Sequence, residues 1–419
     1  MPRLRLAQPL WLDPPPRGIR LSPLDRALNV DVAIIGGGIT GVSAAWLFSA
    51  AGHRVALVEA ERIARGSTAA STALLMQETD SDFVELVGRY GLRRARRIWQ
   101  LSRLATRQLI RTLDELEIRC GLSERDSIYV ATTDAAARRL RAEFEQRRAA
   151  RLPAGRWLDV AAMFDATGLP ATAGIRTSGN GQVDPYRACL GLARAARRAG
   201  ARLFEHSPVR RIDVGPQSVT IVTPRGLLRA AEVVVATGYA TPFFKPLARH
   251  FRLMNTYVLA TRRLTASERR ELGMDNVMLW DTSRPYHYGR WTADRRLLLG
   301  GADRPYVKGW RRAREFQERV NMVGRHFERL WPALSDVGYE FAWEGLFATT
   351  PDGLPYIGSH PDYPRHQFAL GYGGNGMTFG FLAAKLLLQQ HGGRRTSDLG
   401  LFAFDRLKSA STARRRTGG

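Results

Sequence analysis

The residues whose spacing most clearly implies chemistry in this chain are glycines. Gly36-Gly37-Gly38-Ile39-Thr40-Gly41 follows directly on the run Val30-Asp31-Val32-Ala33-Ile34-Ile35. In a turn of this spacing Gly36 permits the tight bend and Gly38 lets the backbone approach a pyrophosphate. Gly41 lets the following helix pack closely on the strand. A helix opening at Ile39 and Thr40 offers unpaired N–H groups and a positive dipole end to phosphates. Glu59 stands 18 residues beyond Gly41, at the end of a second apolar run, where its carboxylate can accept from ribose hydroxyls. The chemistry implied is the binding of a dinucleotide.

A second group is Tyr286-His287-Tyr288-Gly289-Arg290. Side chains alternate along a strand, so Tyr286, Tyr288 and Arg290 share one face. Two phenols and a guanidinium make a pocket for a carboxylated amine, with Arg290 as a two-pronged clamp, or else a solvated face of an arginine-rich strand. His287 falls on the opposite face and reads as packed. Arg295 and Arg296 follow a turn at Thr292-Ala293-Asp294 and read as exposed, and Glu344 is a candidate buried partner for an arginine. Two cysteines, Cys120 and Cys189, have no close partner and no CxxC spacing. A disulfide scaffold and a thiolate zinc site are thereby excluded, no metal ligand set is expected, and a reducing, cytoplasmic compartment suits the chain.

These residues need elements to position them. The run at 30–35, a small-residue helix through Ala51 and a strand at 53–59 form a complete β-turn-α-β unit. Ile98, Leu101, Ala105, Leu109, Leu113 and Leu116 recur at helical spacing, predicting a long amphipathic helix over 92–118. Further helices are expected near 134–150, after Asp184-Pro185-Tyr186 and after Gly376. Strands are expected at 201–205 and 231–236 and throughout 251–301. Residues 1–29 have no periodicity and read as a surface-draped lead-in.

The 419 residues carry a net charge of +24, and only four of the 63 basic residues are lysines. The arginines lie on helices beside apolar positions, as solvated faces do, so a nucleic-acid partner is not expected. No apolar run is long enough to span a membrane.

Whether the dinucleotide is NAD or FAD is decided by four further segments, which a nicotinamide domain does not need. Ser67, Thr68, Ser71 and Thr72 supply hydroxyls soon after Glu59. Val233 to Gly238 is a buried strand whose last residues, Thr237 and Gly238, close over the cofactor. Thr350-Pro351-Asp352-Gly353 and Gly371-Tyr372-Gly373-Gly374-Asn375-Gly376-Met377-Thr378 lie far downstream. With these motifs in this order, the chain resembles the FAD-dependent family of D-amino acid oxidase and the glycine, sarcosine and γ-glutamylputrescine oxidases, over about residues 30–395.

The resemblance implies a fold: an α/β, Rossmann-type FAD-binding domain interleaved with an antiparallel-sheet-rich α+β substrate domain. The FAD-binding domain is expected at 30–118, 185–250 and 335–410, and the substrate domain at 119–184 and 251–334. Residues 411–419 are expected to be a flexible tail. It also implies that Gly374, Asn375, Gly376, Met377 and Thr378 lie at the flavin ring, Asn375 close enough to take part in catalysis. Asp352 would meet the ribityl chain or a neighbouring amide, and Val209 the adenine. The expected reaction is hydride transfer from a small amine or amino acid to non-covalent FAD; an anionic alcohol or a tRNA-linked amine is the alternative. Departures are informative: no cysteine falls near the last glycine loop, so covalent attachment is not expected. Leucine stands on the strand 296–300 where sarcosine oxidases carry an oxygen-activating lysine, which predicts slow reaction with dioxygen.

Overall fold

A computed structural model of the chain describes residues 4–13, 19–274, 277–393 and 397–407. The proline run at 14–16 and the tail expected at 411–419 lie outside the described residues.

The strand Ala27–Ile35 is the centre of an eight-stranded sheet. Val55–Val58 and Leu227–Gly238 flank it in parallel, and Arg202–Phe204 and Tyr363–Leu370 continue the parallel run outward. Tyr356–His360 adds an antiparallel edge. The central strand is apolar at successive positions because both of its faces are covered. Val32 and Ile34 pack towards the helices Ile39–Ala50 and Gly376–His391, while Ala33 faces Val233, Val235 and Phe368 on the other side. The helix Ile39–Ala50 is built from small residues because it is wedged between Pro185–Arg198 and Gly376–His391.

A ten-stranded sheet stands beside it. Its middle runs through Tyr339–Thr349, Arg252–Thr261, Leu297–Pro305, Tyr288–Trp291 and Val277–Asp281, all antiparallel neighbours. The helix Arg311–Leu330 lays Phe316, Val320, Val323 and Phe327 onto Leu259, Leu297 and Leu299 and leaves its arginine face to solvent. The expected helices at 92–118 and 134–150 are Leu92–Glu115 and Asp134–Ala149. The mixed α/β architecture agrees with the sequence reading.

Three differences stand out. Tyr339–Thr349, assigned from sequence to the nucleotide-binding part, pairs along its length with Arg252–Thr261 and so belongs to the ten-stranded sheet. The paired residues, from Thr261–Tyr339 to Arg252–Thr349, are 78 to 97 positions apart in sequence, which no local pattern can report. The lead-in is docked, not draped: Arg5–Leu6 pairs with Phe341 and Ala342, and Leu10 and Trp11 are buried. The strand-rich stretch 251–301 is broken by the helix Ala266–Leu272, which a Thr265–Glu268 capping box nucleates.

Candidate active site

A cavity of about 1010 Å³ opens between the two sheets. One part of its wall is the glycine turn. Gly36, Gly38, Ile39 and Thr40 line it, with Glu59, Ser67, Thr68, Ser71, Thr72, Val209, Thr237 and Gly238. Glu59 is held by the turn it faces: its carboxylate accepts from Gly37 N at 2.6 Å and from Glu61 N at 2.9 Å. The Thr68 hydroxyl accepts from Ile39 N at 3.0 Å, fixing the start of the helix. Gly41 is not in the wall; a β-carbon there would collide with Gly36 O, which is the close helix packing expected of it.

The other part of the wall comes from the ten-stranded sheet and the last glycine loop. Tyr286, Tyr288, Trp280 and Asp303 line it, with Gly374, Asn375, Gly376 and Met377. Tyr288 donates to or accepts from Thr256 Oγ1 at 2.9 Å, and its ring fills the space that a side chain at Gly300 would need. Asn375 caps the helix Gly376–His391 and donates from Nδ2 to Met76 O and Glu78 O, at 3.1 and 2.8 Å. Its Oδ1 is buried with no partner. Two helix N-termini, those of Ile39–Ala50 and Gly376–His391, therefore face one cavity.

Two acids that sequence reasoning missed lie in this wall. Asp80 Oδ2 accepts from Gly374 N at 2.6 Å, and burial pushes its carboxyl up to about 6, against that bond and the pull of Arg284. Asp303 is pushed up to about 7, chiefly by burial, with Thr256 opposing, Asp80 adding and His287 opposing. Its Oδ1 is buried and has no hydrogen-bond partner. Asp80 sits in a polar stretch without periodicity, so it carried no signal. Asp303 follows Gly300-Gly301, and a glycine pair inside a strand is a bulge signal that could have drawn attention to it.

The comparisons with known proteins fit this geometry. Residues 31–390 match the model of the DAO family, described as FAD dependent oxidoreductase. The chain belongs to that family. It is 27% identical over 375 residues to the gamma-glutamylputrescine oxidoreductase of Escherichia coli K12, covering 87% of this chain and 84% of that protein. It is 26% identical to the glycine oxidase of Bacillus licheniformis, over 83% of this chain and 89% of that one. Among solved structures, glycine oxidase from Geobacillus kaustophilus superimposes with a TM-score of 0.74 at 24% identity, covering 90% of this chain and 98% of that chain. L-proline dehydrogenase from P. horikoshii gives 0.75 at 18% identity, over 92% and 99%.

Membership makes this an FAD-dependent oxidoreductase, and the wall of the DAO-family cavity fits that cofactor. At Gly38 the backbone is ordinary, φ −76°, and a β-carbon would meet only Thr68 Oγ1, at 3.2 Å. Backbone strain does not exclude a side chain there; its β-carbon would press on the Thr68 hydroxyl, and the rest of it would fill the cavity.

Four of the expected site residues do not reach the DAO-family cavity as read from sequence. Arg290 is fully buried elsewhere. Its guanidinium donates to the carbonyls of Thr72, Trp291 and Val183 at 2.5, 3.2 and 2.6 Å, with Trp11 stacked 5.1 Å away. It shares a face with Tyr288, as alternation requires, but two residues further along that face lies behind the 72–75 segment and not over the cavity. Asp352 also lies outside the wall. Its carboxylate meets Arg406 twice, at 2.7 and 2.8 Å, and takes the Tyr90 hydroxyl. Burial alone would raise Asp352, and Arg406 outweighs it, holding the carboxyl below the usual range. Thr378 turns away to Met76 O and the Thr106 hydroxyl, and Gly41 serves packing. Arg296, read as exposed, is buried between Asp294 and Glu340, because pairing resumes directly after the turn. Glu344 has its arginine: it pairs with Arg312 and accepts from Asn255 Nδ2.

His287 is packed. Its ring stacks on His326, centroids 3.5 Å apart and planes 10° apart, and its Nδ1 lies 3.0 Å from Asp281. Asp281, His287 and His326 thus bring a carboxylate oxygen and two ring nitrogens within 4.8 Å of one another. Cys120 and Cys189 are both buried, and neither lines the cavity.

Proposed function

We propose that the chain oxidises the C–N bond of an amine or amino acid, using FAD held without a covalent bond. The observation that carries this reading is the joining of a nucleotide cradle and an aromatic, acid-lined compartment in one cavity. The activities for which the relatives are named, on a putrescine derivative and on glycine, support the substrate side.

In this reading Gly36, Gly38, Ile39 and Thr40 take the pyrophosphate and Glu59 the ribose. Ser67, Thr68, Ser71 and Thr72 give further hydroxyls, while Val209, Thr237 and Gly238 close on the adenosine part. Gly374, Asn375, Gly376 and Met377 bring a helix N-terminus to the flavin, where it favours negative charge. When bound, FAD supplies a two-electron acceptor for the hydride on the carbon that bears nitrogen. The protein's own share is to bind the amine, orient its C–H bond and exclude water until the imine leaves to hydrolyse.

Among the described residues, those that line the cavity include no cysteine and no lysine. The first supports release of the flavin into the supernatant on acid precipitation. The second supports slow reoxidation by dioxygen; stopped-flow mixing of reduced enzyme with oxygenated buffer should give a rate well below turnover with an artificial acceptor. The acids in the wall disfavour the alternative, an anionic alcohol. Anaerobic mixing with amines, amino acids, hydroxy acids and glycerol phosphate tests the main reading. Flavin absorbance should bleach with a nitrogen compound, and bleaching by alcohols alone would overturn it.

A further inference from the structure

Asp303 occupies an unusual place in its strand. Between the pairs Tyr257–Gly301 and Asn255–Arg304 the register of Leu297–Pro305 slips, so Ala302 and Asp303 together face Thr256. Gly301 has φ +148° and Ala302 φ +55°, both in the region that ordinary strands avoid. A bulge of this kind re-aims the side chain that follows it. Here it delivers Asp303 to the cavity, with Oδ1 buried and unbonded. The bulge is also supported from behind: a β-carbon at Gly301 would lie 2.7 Å from the His287 ring, which Asp281 and His326 hold.

A buried acceptor with nothing to accept from is unfavourable unless a ligand supplies the donor or a positive charge. The surroundings say which ligand. Tyr286 lies 5.9 Å from Tyr288 and 6.2 Å from Trp280, ring centre to ring centre, in tilted and edge-on arrangements. Aromatic faces and carboxylates together attract cations. Asp80 adds a second carboxyl. Among the described residues the nearby arginines are engaged elsewhere and do not offer a substrate carboxylate a comparable site: Arg290 is spent on three carbonyls, Arg312 pairs with Glu344, and Arg284 reaches Asp82. Arg62 and Arg65, which also line the cavity, belong to the segment just after Glu59.

We propose that this compartment is a receptor for an alkylammonium group: Asp303 meets the positive charge, Asp80 strengthens the field, and Tyr286, Tyr288 and Trp280 wall it. The substrate class is a cationic amine with no carboxylate on the carbon that bears the nitrogen. This deepens the C–N oxidation reading and rests on it for the reaction, though not for the binding: the ammonium bound at Asp303 gives a proton to that carboxylate, and the neutral amine then loses the hydride that leaves an imine.

The test uses purified holoenzyme and two pairs of probes. The first pair is choline and its neutral isostere, in which a tert-butyl group replaces the trimethylammonium, with binding followed by calorimetry. Choline should bind at least about tenfold more tightly, a modest figure for a desolvated charge contact. Asp303→Asn should remove that advantage while the isostere is unaffected, and Asp303→Ser repeats the test if the first variant loses its flavin. Equal binding of the two probes, or an advantage that survives both substitutions, would overturn the receptor. The second pair is a straight-chain primary amine and the α-amino acid that carries a carboxylate on the same carbon. The amine should reduce the flavin faster at equal concentration; faster reduction by the amino acid overturns the substrate class. If neither reduces it while choline still binds through Asp303, the receptor stands and the C–N oxidation reading fails.

Discussion

At Gly38 the φ of −76° suits any residue, and the protein's one close approach to an added β-carbon is Thr68 Oγ1, which would have to shift slightly to admit it. The glycine makes sense once a pyrophosphate approaches. Gly38→Val is therefore expected to fold and to purify without flavin, whereas Glu59→Ala should weaken FAD binding by only about 1–3 kcal/mol, the loss of hydrogen bonds. Absorbance of the purified proteins near the flavin bands checks both, and a fully loaded Gly38→Val would remove the pyrophosphate from this turn. The carboxyls make a prediction with a sign. Burial pushes Asp80 up to about 6 and Asp303 up to about 7, with Thr256, His287, Arg284 and the Gly374 amide opposing. Below those values both are protonated and their attraction for a cation is lost. A permanent cation such as choline should therefore bind more tightly as pH rises through about 6 to 7 and level off above. A flat profile by calorimetry would mean the carboxyls do not face the ligand. The contrast between Gly38 and Asp303 shows what sequence can carry. The glycine's meaning is local, set by its neighbours on a turn, whereas Asp303 depends on a bulge whose partner strand is Arg252–Thr261.

Elements decide what a shared face means. Alternation holds for Tyr288 and Arg290, whereas Tyr286 precedes the strand, which begins at Tyr288; of the three only the two tyrosines reach the cavity. The strand Tyr288–Trp291 runs from the cavity into the interior, and Arg290 ends beneath the Thr72 segment, where burial pushes its guanidinium down to about 9 against the pull of Asp184. Direction along a strand relative to a cavity is tertiary information, so the clamp and the structural role were indistinguishable from sequence. The nucleotide unit was legible because strand, turn, helix and strand are consecutive and each has its own periodicity. Arg290→Leu is now expected to act on stability: three carbonyls lose their donor, each worth about 1–3 kcal/mol when buried. Its melting temperature should fall by several degrees, and kcat/KM should change by the same factor for amines with and without a carboxylate. A loss confined to carboxylated substrates would restore the clamp.

At the scale of the whole molecule two electrostatic facts oppose each other. The chain carries +24, and helices such as Leu92–Glu115 and Arg311–Leu330 present arginine faces to solvent. The proposed receptor inside carries carboxyls. A cationic amine approaching from solution is repelled by the molecule before it is attracted by the site. Long-range repulsion between solvent-exposed charges is screened within a Debye length, about 10 Å at 0.1 M salt, while a partly buried contact is screened much less. Moderate salt should therefore remove more of the repulsion than of the attraction. The second-order rate constant for binding a cationic amine is expected to rise between about 10 and 100 mM salt, opposite to the behaviour of a steered complex, where it falls. Stopped-flow reduction of the flavin at limiting amine, repeated across that range, measures it. The neutral tert-butyl isostere, followed by its own binding kinetics, should show no such rise. A rate that falls steadily with salt would mean that an acidic surface at the mouth outweighs the basic exterior, and that the entry path is steered and not resisted.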